Sequence, residues 1–182
     1  MYHDVIMAGF GGQGIMLMGD ILALVAMKEG KNVTWMPSYG VEMRGGTANC
    51  TVIVSSEEIG SPVTGHPHSA IVMNEPSLIK YEPMVKPEGF LLVNVSLINP
   101  EKTRRKDIGK LLLPANDIAQ KLGNSQMANM VALGAFIQET KIVSLELTIK
   151  SLPEIFPDRP PKFIYNNSRA LENGAKFVIK GG

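Results

Sequence analysis

Three glycines spaced as Gly9-x-Gly11-x-x-Gly14 stand where a short apolar run gives way to a helical pattern, a place where a backbone can grip an anion. Glycines there permit a tight turn and close backbone approach, and the free N–H groups and dipole of the following helix favour a group such as a phosphate. The same glycines also suit a strand and a helix that merely pack closely, so both roles are open from the residues alone. Gly12 and Gln13 belong to the same turn. A dinucleotide site would add an acidic residue about 20 positions on, at the end of the second strand, to hold a ribose hydroxyl. Here that place reads Thr34-Trp35-Met36-Pro37-Ser38, and Asp20 falls inside the helix. NAD binding is therefore a minor reading, and with no lysine in the Walker position an ATP site has less support still.

A second stretch, Ser38-Tyr39-Gly40-Val41-Glu42-Met43-Arg44-Gly45-Gly46, joins the second strand to the third. It is placed beside the glycine turn at the carboxyl edge of the sheet, where open α/β sheets bind ligands. Arg44 offers a planar fork of donors for carboxylate or phosphate, Glu42 can orient it or a substrate group, and Gly45 and Gly46 let a backbone come close. Other signals are weaker. His66 and His68 flank Pro67 without a third metal ligand in the pattern, so a polar loop is the preferred reading. The run 101–110 holds Lys102, Arg104, Arg105, Lys106 and Lys110 against Glu101 and Asp107, a solvated loop before it is a phosphate or partner site. Met16, Met18 and Met27 fit a core or subunit interface, and Cys50, inside a predicted strand, fits a buried inert thiol.

The elements that must position these residues follow from periodicity. Residues 5–8 read as a buried strand, 15–29 as a helix closed by Gly30, and 32–36 as a second strand. Residues 37–46 read as irregular, and 47–55 alternates like a strand. Further strands are expected at 69–73, 90–95 and 111–113, with helices near 76–85 and over 126–140, 144–151 and 167–179. Strands alternating with helices predict a three-layer, Rossmann-like α/β fold, with a mostly parallel sheet and helices on both faces.

Composition narrows the function. With 182 residues, 45% hydrophobic and 19% charged, the chain is expected to form one domain over 1–182. Lys+Arg 18 against Asp+Glu 17 lacks the footprint of a nucleic-acid or anionic-membrane binder. A single cysteine excludes an iron–sulfur cluster, a multi-cysteine zinc site and an internal disulfide within this chain. No run of 18 residues lacks a charge, and the first four residues do not resemble a signal peptide, so a soluble cytoplasmic protein is expected.

The two glycine-rich stretches, Gly9-Phe10-Gly11-Gly12-Gln13-Gly14 and Ser38 through Cys50, together resemble the gamma subunit of 2-oxoacid:ferredoxin oxidoreductases, a family that includes the pyruvate, 2-oxoisovalerate and 2-oxoglutarate enzymes. Asn129-Met130-Val131-Ala132-Leu133-Gly134 resembles the family's later helix, and the similarity runs over the whole chain. Many members have proline where this sequence has Val41. The resemblance implies a multi-subunit complex in which a 2-oxoacid is oxidatively decarboxylated, its acyl group passes to coenzyme A and ferredoxin is reduced. Thiamine diphosphate, Mg2+ and the iron–sulfur clusters would then lie in thiamine-binding and ferredoxin-like partner subunits, with no cofactor bound by this chain alone. The residues assigned to the shared active site or coenzyme A channel are Gly9, Gly11, Gly12, Gln13, Gly14, Ser38, Tyr39, Gly40, Glu42, Arg44, Gly45 and Gly46. Catalytic residues are not assigned and no metal site is expected. The alternative is a stand-alone nucleotide-binding or sensor domain that uses the glycine turn by itself.

Overall fold

The computed structural model describes residues 1–39 and 46–181. Its centre is built from strands β1 (Tyr2–Phe10), β2 (Asn32–Tyr39), β3 (Thr47–Ser55), β4 (Ser69–Val72), β5 (Phe90–Asn94) and β6 (Gly109–Leu113). They form one sheet in the order β2-β3-β1-β4-β5-β6. The pairings β1–β4, β4–β5 and β5–β6 are parallel, and β3 is antiparallel to both of its neighbours. Only β3 therefore runs against the others, so the expected mostly parallel sheet is present with one reversed strand inserted beside β1.

Helices cover both faces unequally. Val5 and Met7 of β1 point into one core and Ile6 and Ala8 into another, the period-2 division of a strand buried on both sides. The larger core is closed by α1 (Ile15–Lys28), α3 (Ala115–Lys121), α4 (Ala128–Thr140), α5 (Leu145–Ile155) and α6 (Pro161–Ile179), and the smaller by α2 (Glu75–Tyr81), the single-turn helix Glu82–Met84 and the loops carrying Val85, Ile98 and Ile108. Ten successive residues of α4, Ala128 to Ile137, are buried, which explains an apolar pattern around the whole helix rather than along one stripe. It can lie so deep because α6 crosses it closely. A Cβ on Gly134 would stand 2.6 Å from the carbonyl carbon of Leu171, and one on Gly174 2.8 Å from that of Val131.

Several elements differ from the sequence expectation, each for a local reason. β2 continues through Pro37 and Ser38 to Tyr39, where an irregular segment was expected, because an outermost strand tolerates a proline. α5 continues past Ser151 through Pro153, held by a Phe156 N–H to Leu152 carbonyl bond of 2.9 Å and by packing of Ile155 and Phe156 on the core. α6 starts at Pro161 rather than 167, since a proline in the first turn gives up a donor that would be unpaired anyway. α3 was not expected at all, and β6 begins two residues earlier than 111.

Candidate functional site

β1 ends at the glycine turn and α1 leaves it, and each assigned glycine there has a distinct task. Gly9 leaves no space for a side chain, because a Cβ would lie 2.5 Å from Gln13 Oε1 and 2.8 Å from Ile15 Cδ1. The Gly11 N–H donates to the Gly46 carbonyl at 2.9 Å, which ties the turn to the start of β3 and brings the two glycine-rich stretches to one edge. Gly12 has φ +95° with nothing within 4 Å of a built Cβ. Gly14 has φ +73° and precedes α1, and its carbonyl accepts from Met18 N–H at 3.1 Å and from Asn129 Nδ2 at 3.4 Å. Gly9 and Gly14 are thus packing glycines, whereas Gly12 bares backbone to open space.

Gln13 locks the turn from within. Its Oε1 accepts from Phe10 N–H at 2.6 Å, and its Nε2 donates to the Met73 carbonyl at 3.3 Å, across the gap between β1 and β4. That gap is where the sheet's connections change faces, since α1 packs on the larger core and α2 on the smaller. It is the place where open α/β sheets form a ligand crevice. A cavity of about 200 Å³ lies there, lined by Gly12, Gln13, Met73, Asn116, Ser125, Gln126 and Ala128. Buried amides stand behind it: Asn94 Nδ2 donates to Asn116 Oδ1, on the lining, at 2.7 Å, Asn94 Oδ1 accepts from Ala115 N–H at 3.2 Å, and Asn74 Oδ1 caps α2 through Ser77 N–H at 2.9 Å. These amides escaped sequence reading. An asparagine at the end of β5 and within three residues of the ends of β4 and β6 was the available signal.

On the other side of the turn a hollow of about 340 Å³ is lined by Phe10, Gly11, Gly12, Gly14, Ile15, Met16, Leu17, Gly46, Thr47 and Ala48. α1 has no side-chain cap and no acidic residue in its first turn, so its positive end is uncompensated, yet the walls of the hollow are largely apolar. No Asp, Glu, Lys, Arg or His among the described residues lines either cavity. The described edge can therefore hold and orient a group through backbone, amide and hydroxyl contacts from residues such as Gln13, Thr47, Asn116 and Ser125.

Of the remaining assigned residues, Ser38 and Tyr39 close β2, two strands out from the turn. At about 4.8 Å per strand this puts the end of β2 roughly 10 Å from β1. A ribose clamp at the end of the second strand could not serve Gly11 across the intervening β3, which removes the dinucleotide reading on geometric grounds as well. Gly40, Glu42, Arg44 and Gly45 lie outside the described residues.

The other titratable groups lie away from this edge. His68 Nδ1 and N–H both bond to Asp4 Oδ1, and His3 Nε2 bonds to Ser69 Oγ at 2.7 Å, at the start of β1. Burial, reinforced by His68 and Lys86 and opposed by Asp4, lowers His3 from 6.5 to about 4. Burial alone would raise Asp4, but hydrogen bonds from Thr64 and His68 bring it below the ordinary carboxylate value. Burial pushes Cys50 up to about 12 despite bonds from Trp35 and Gly19, so it is the inert thiol expected. A cavity of about 490 Å³ adjoins the run 101–110. Its cations mostly serve the fold: Lys102 pairs with Glu75, and Arg105 with Asp107 and the carbonyls of Glu82, Pro83 and Val85. Buried Glu82 accepts from the N–H groups of Arg104 and Arg105.

Fold and site together define an α/β domain with a crevice at the carboxyl edge of its sheet that no charged side chain among the described residues lines. The family model described as pyruvate ferredoxin/flavodoxin oxidoreductase matches residues 4–177. The chain belongs to that family, as its resemblance in sequence implied. It is 35% identical over 171 residues to ketoisovalerate oxidoreductase subunit VorA of Methanothermobacter thermautotrophicus, covering 94% of this chain and 35% of that protein. The chain thus spans about a third of the length of this curated relative. It is 29% identical to 2-oxoglutarate synthase subunit KorC of Methanothermobacter marburgensis, covering 100% of this chain and 99% of that one. The crystal structure of a keto/oxoacid ferredoxin oxidoreductase gamma subunit from Geobacter sulfurreducens superposes with a TM-score of 0.83 at 28% identity, covering 98% of this chain and 99% of that chain.

Proposed function

We propose that this chain is the gamma-type subunit of a 2-oxoacid:ferredoxin oxidoreductase, a cytoplasmic complex that converts a 2-oxoacid to an acyl-CoA and passes electrons to ferredoxin. Its carboxyl edge forms part of the wall of the shared active site or coenzyme A channel. The observation that carries this reading is the combination of exposed Gly12 backbone with cavities that no charged side chain among the described residues lines. Such an edge can shape a site whose chemistry comes from elsewhere. The chain's donor set does not suit the redox groups of such an enzyme: the one cysteine is buried, and no group of three metal-ligating side chains occurs among the described residues. In this reading thiamine diphosphate, Mg2+ and iron–sulfur clusters belong to partner subunits, with coenzyme A as co-substrate. Ser38, Tyr39, Gly40, Glu42, Arg44, Gly45 and Gly46 are assigned to the same wall, Arg44 as the group that grips carboxylate or phosphate.

The test is reconstitution. The purified chain, alone and with its partner subunits, is assayed for coenzyme A-dependent reduction of a viologen dye with pyruvate, 2-oxoisovalerate and 2-oxoglutarate. Activity is expected only in the complex. Activity of the single chain, or tight NAD or flavin nucleotide binding followed through Trp35 fluorescence, would favour a self-contained enzyme or sensor and overturn the proposal.

A further inference from the structure

Four consecutive residues of the outer strand, Trp35, Met36, Pro37 and Ser38, are exposed, and β2 carries no charged side chain over its eight residues. Among the described residues no strand pairs with its outer edge. Free edges are normally blunted by charges, bulges or shortness. Here Pro37 is the one guard, and it removes a single donor.

The helix beside this strand is equally bare. Met16, Gly19, Ala23 and Met27 follow one stripe of α1 at helical spacing. The Trp35 indole fills the notch at Gly19, where a Cβ would stand 2.9 Å from its Nε1 and 2.6 Å from Cys50 Sγ. Met27 is 61% exposed and Leu24 37%. Asp20 and Lys28 are the only charges on α1, and Lys28 pairs with Glu154. At its upper end the stripe runs through Met16 and Leu17 into the apolar hollow under the glycine turn. Gly19 and Ala23 are buried within this stripe, so Trp35, seated over Gly19, is what joins the exposed edge of β2 to Met16 and the candidate site, with Asp20 one turn along from Met16.

We propose that this surface is the docking face for the partner polypeptide that corresponds to the part of VorA outside the aligned region, an inference that rests on the subunit reading above. In VorA the counterpart of this chain is 35% of the protein, so it is joined there to about twice its own length of other polypeptide. A surface whose charges among the described residues are Asp20 and the Lys28–Glu154 pair, and which is otherwise apolar, suits an interface with a protein face, not a nucleic acid or an anionic membrane. Its continuity with the hollow means that the partner covering Met27 and Trp35 also faces Gly12, which places the turn over the shared site.

The experiment co-expresses the full chain with the chain of the same organism that matches the rest of VorA. Complex formation is measured by size-exclusion chromatography with light scattering, and backbone protection by hydrogen exchange. Met27→Glu and Met36→Glu change exposed side chains, so folding, checked by circular dichroism, survives. Each is expected to weaken the complex at least about tenfold, because a charge would be buried in an apolar interface. Ile79→Glu on α2, 67% exposed on the opposite face, is expected to change nothing, and amides 32–38 and 16–27 gain protection in the complex. A complex that protects α2 and leaves β2 and α1 exchanging freely overturns the docking face while the subunit reading stands. So does a homodimer of this chain through the stripe. Failure of any complex to form, with dye reduction by the chain alone, removes both.

Discussion

Replacing Gly14 by alanine separates the packing role of the glycine turn from its binding role. Gly14 is left-handed, with φ +73° and ψ 26°, and a non-glycine residue there costs about 1–2 kcal/mol. The new Cβ would also lie 2.8 Å from Asn129 Cγ and closer still to Nδ2. Asn129 is 5% exposed and donates to the Gly14 carbonyl, so moving it leaves a buried amide unpaired at a further cost of about 1–3 kcal/mol. Gly14→Ala should therefore lose about 2–5 kcal/mol in urea unfolding. Gly12→Ala at φ +95°, with nothing near its Cβ, should lose only the conformational part, about 1–2 kcal/mol. The double variant Gly14→Ala/Asn129→Ala removes the collision and should be more stable than the sum of the single changes by about 1 kcal/mol or more. In the reconstituted complex the order reverses: Gly12→Ala, the milder change for folding, should impair turnover more because its methyl enters the crevice. Equal stability losses for Gly12→Ala and Gly14→Ala, with strict additivity in the double variant, would refute this division of labour.

Two further outcomes test the frame that holds the site. His3 has a folded pKa of about 4 against 6.5 in the unfolded chain, so between those values the unfolded state holds a proton that the folded state lacks. Stability is fully present above pH 6.5 and should fall by roughly 3 kcal/mol by pH 4, with Asp4 adding to the loss as its own lowered pKa is passed. Urea unfolding of wild type and His3→Phe across pH 4–7 checks this, and an unchanged slope in the variant would sink the assignment. At the crossing of α4 and α6, Gly174→Ala should lose roughly 3 kcal/mol, since the atoms in the way belong to the Val131 and Ala135 backbone and cannot rotate aside. At an exposed helix position the same change would gain up to about 1 kcal/mol, so a rise in melting temperature would contradict the close crossing.

What could be read along the chain was whatever depends on neighbours in sequence. The order of strand, glycine turn and helix follows from apolar spacing and three glycines, although β1 runs over Tyr2–Phe10 and so beyond the expected 5–8, and β3 falls on Thr47–Ser55 as its alternation predicts. The family resemblance was legible for the same reason, being carried by two contiguous motifs. What depends on lateral position in the sheet was not. Pro37 reads as the end of a strand until the strand is known to be outermost, and nothing local says that β3 enters between β2 and β1 and so removes the ribose position of a dinucleotide fold. The crevice was equally hidden, because Gln13, Met73, Asn94 and Asn116 come from the carboxyl ends of different strands or the segments just beyond them and meet only when those strands lie side by side. Whether Gly14 packs or binds was open in sequence and is decided by Asn129, 115 residues away: a side chain's surroundings are set by distances through space, and folding brings together residues whose separation along the chain carries no sign of their contact.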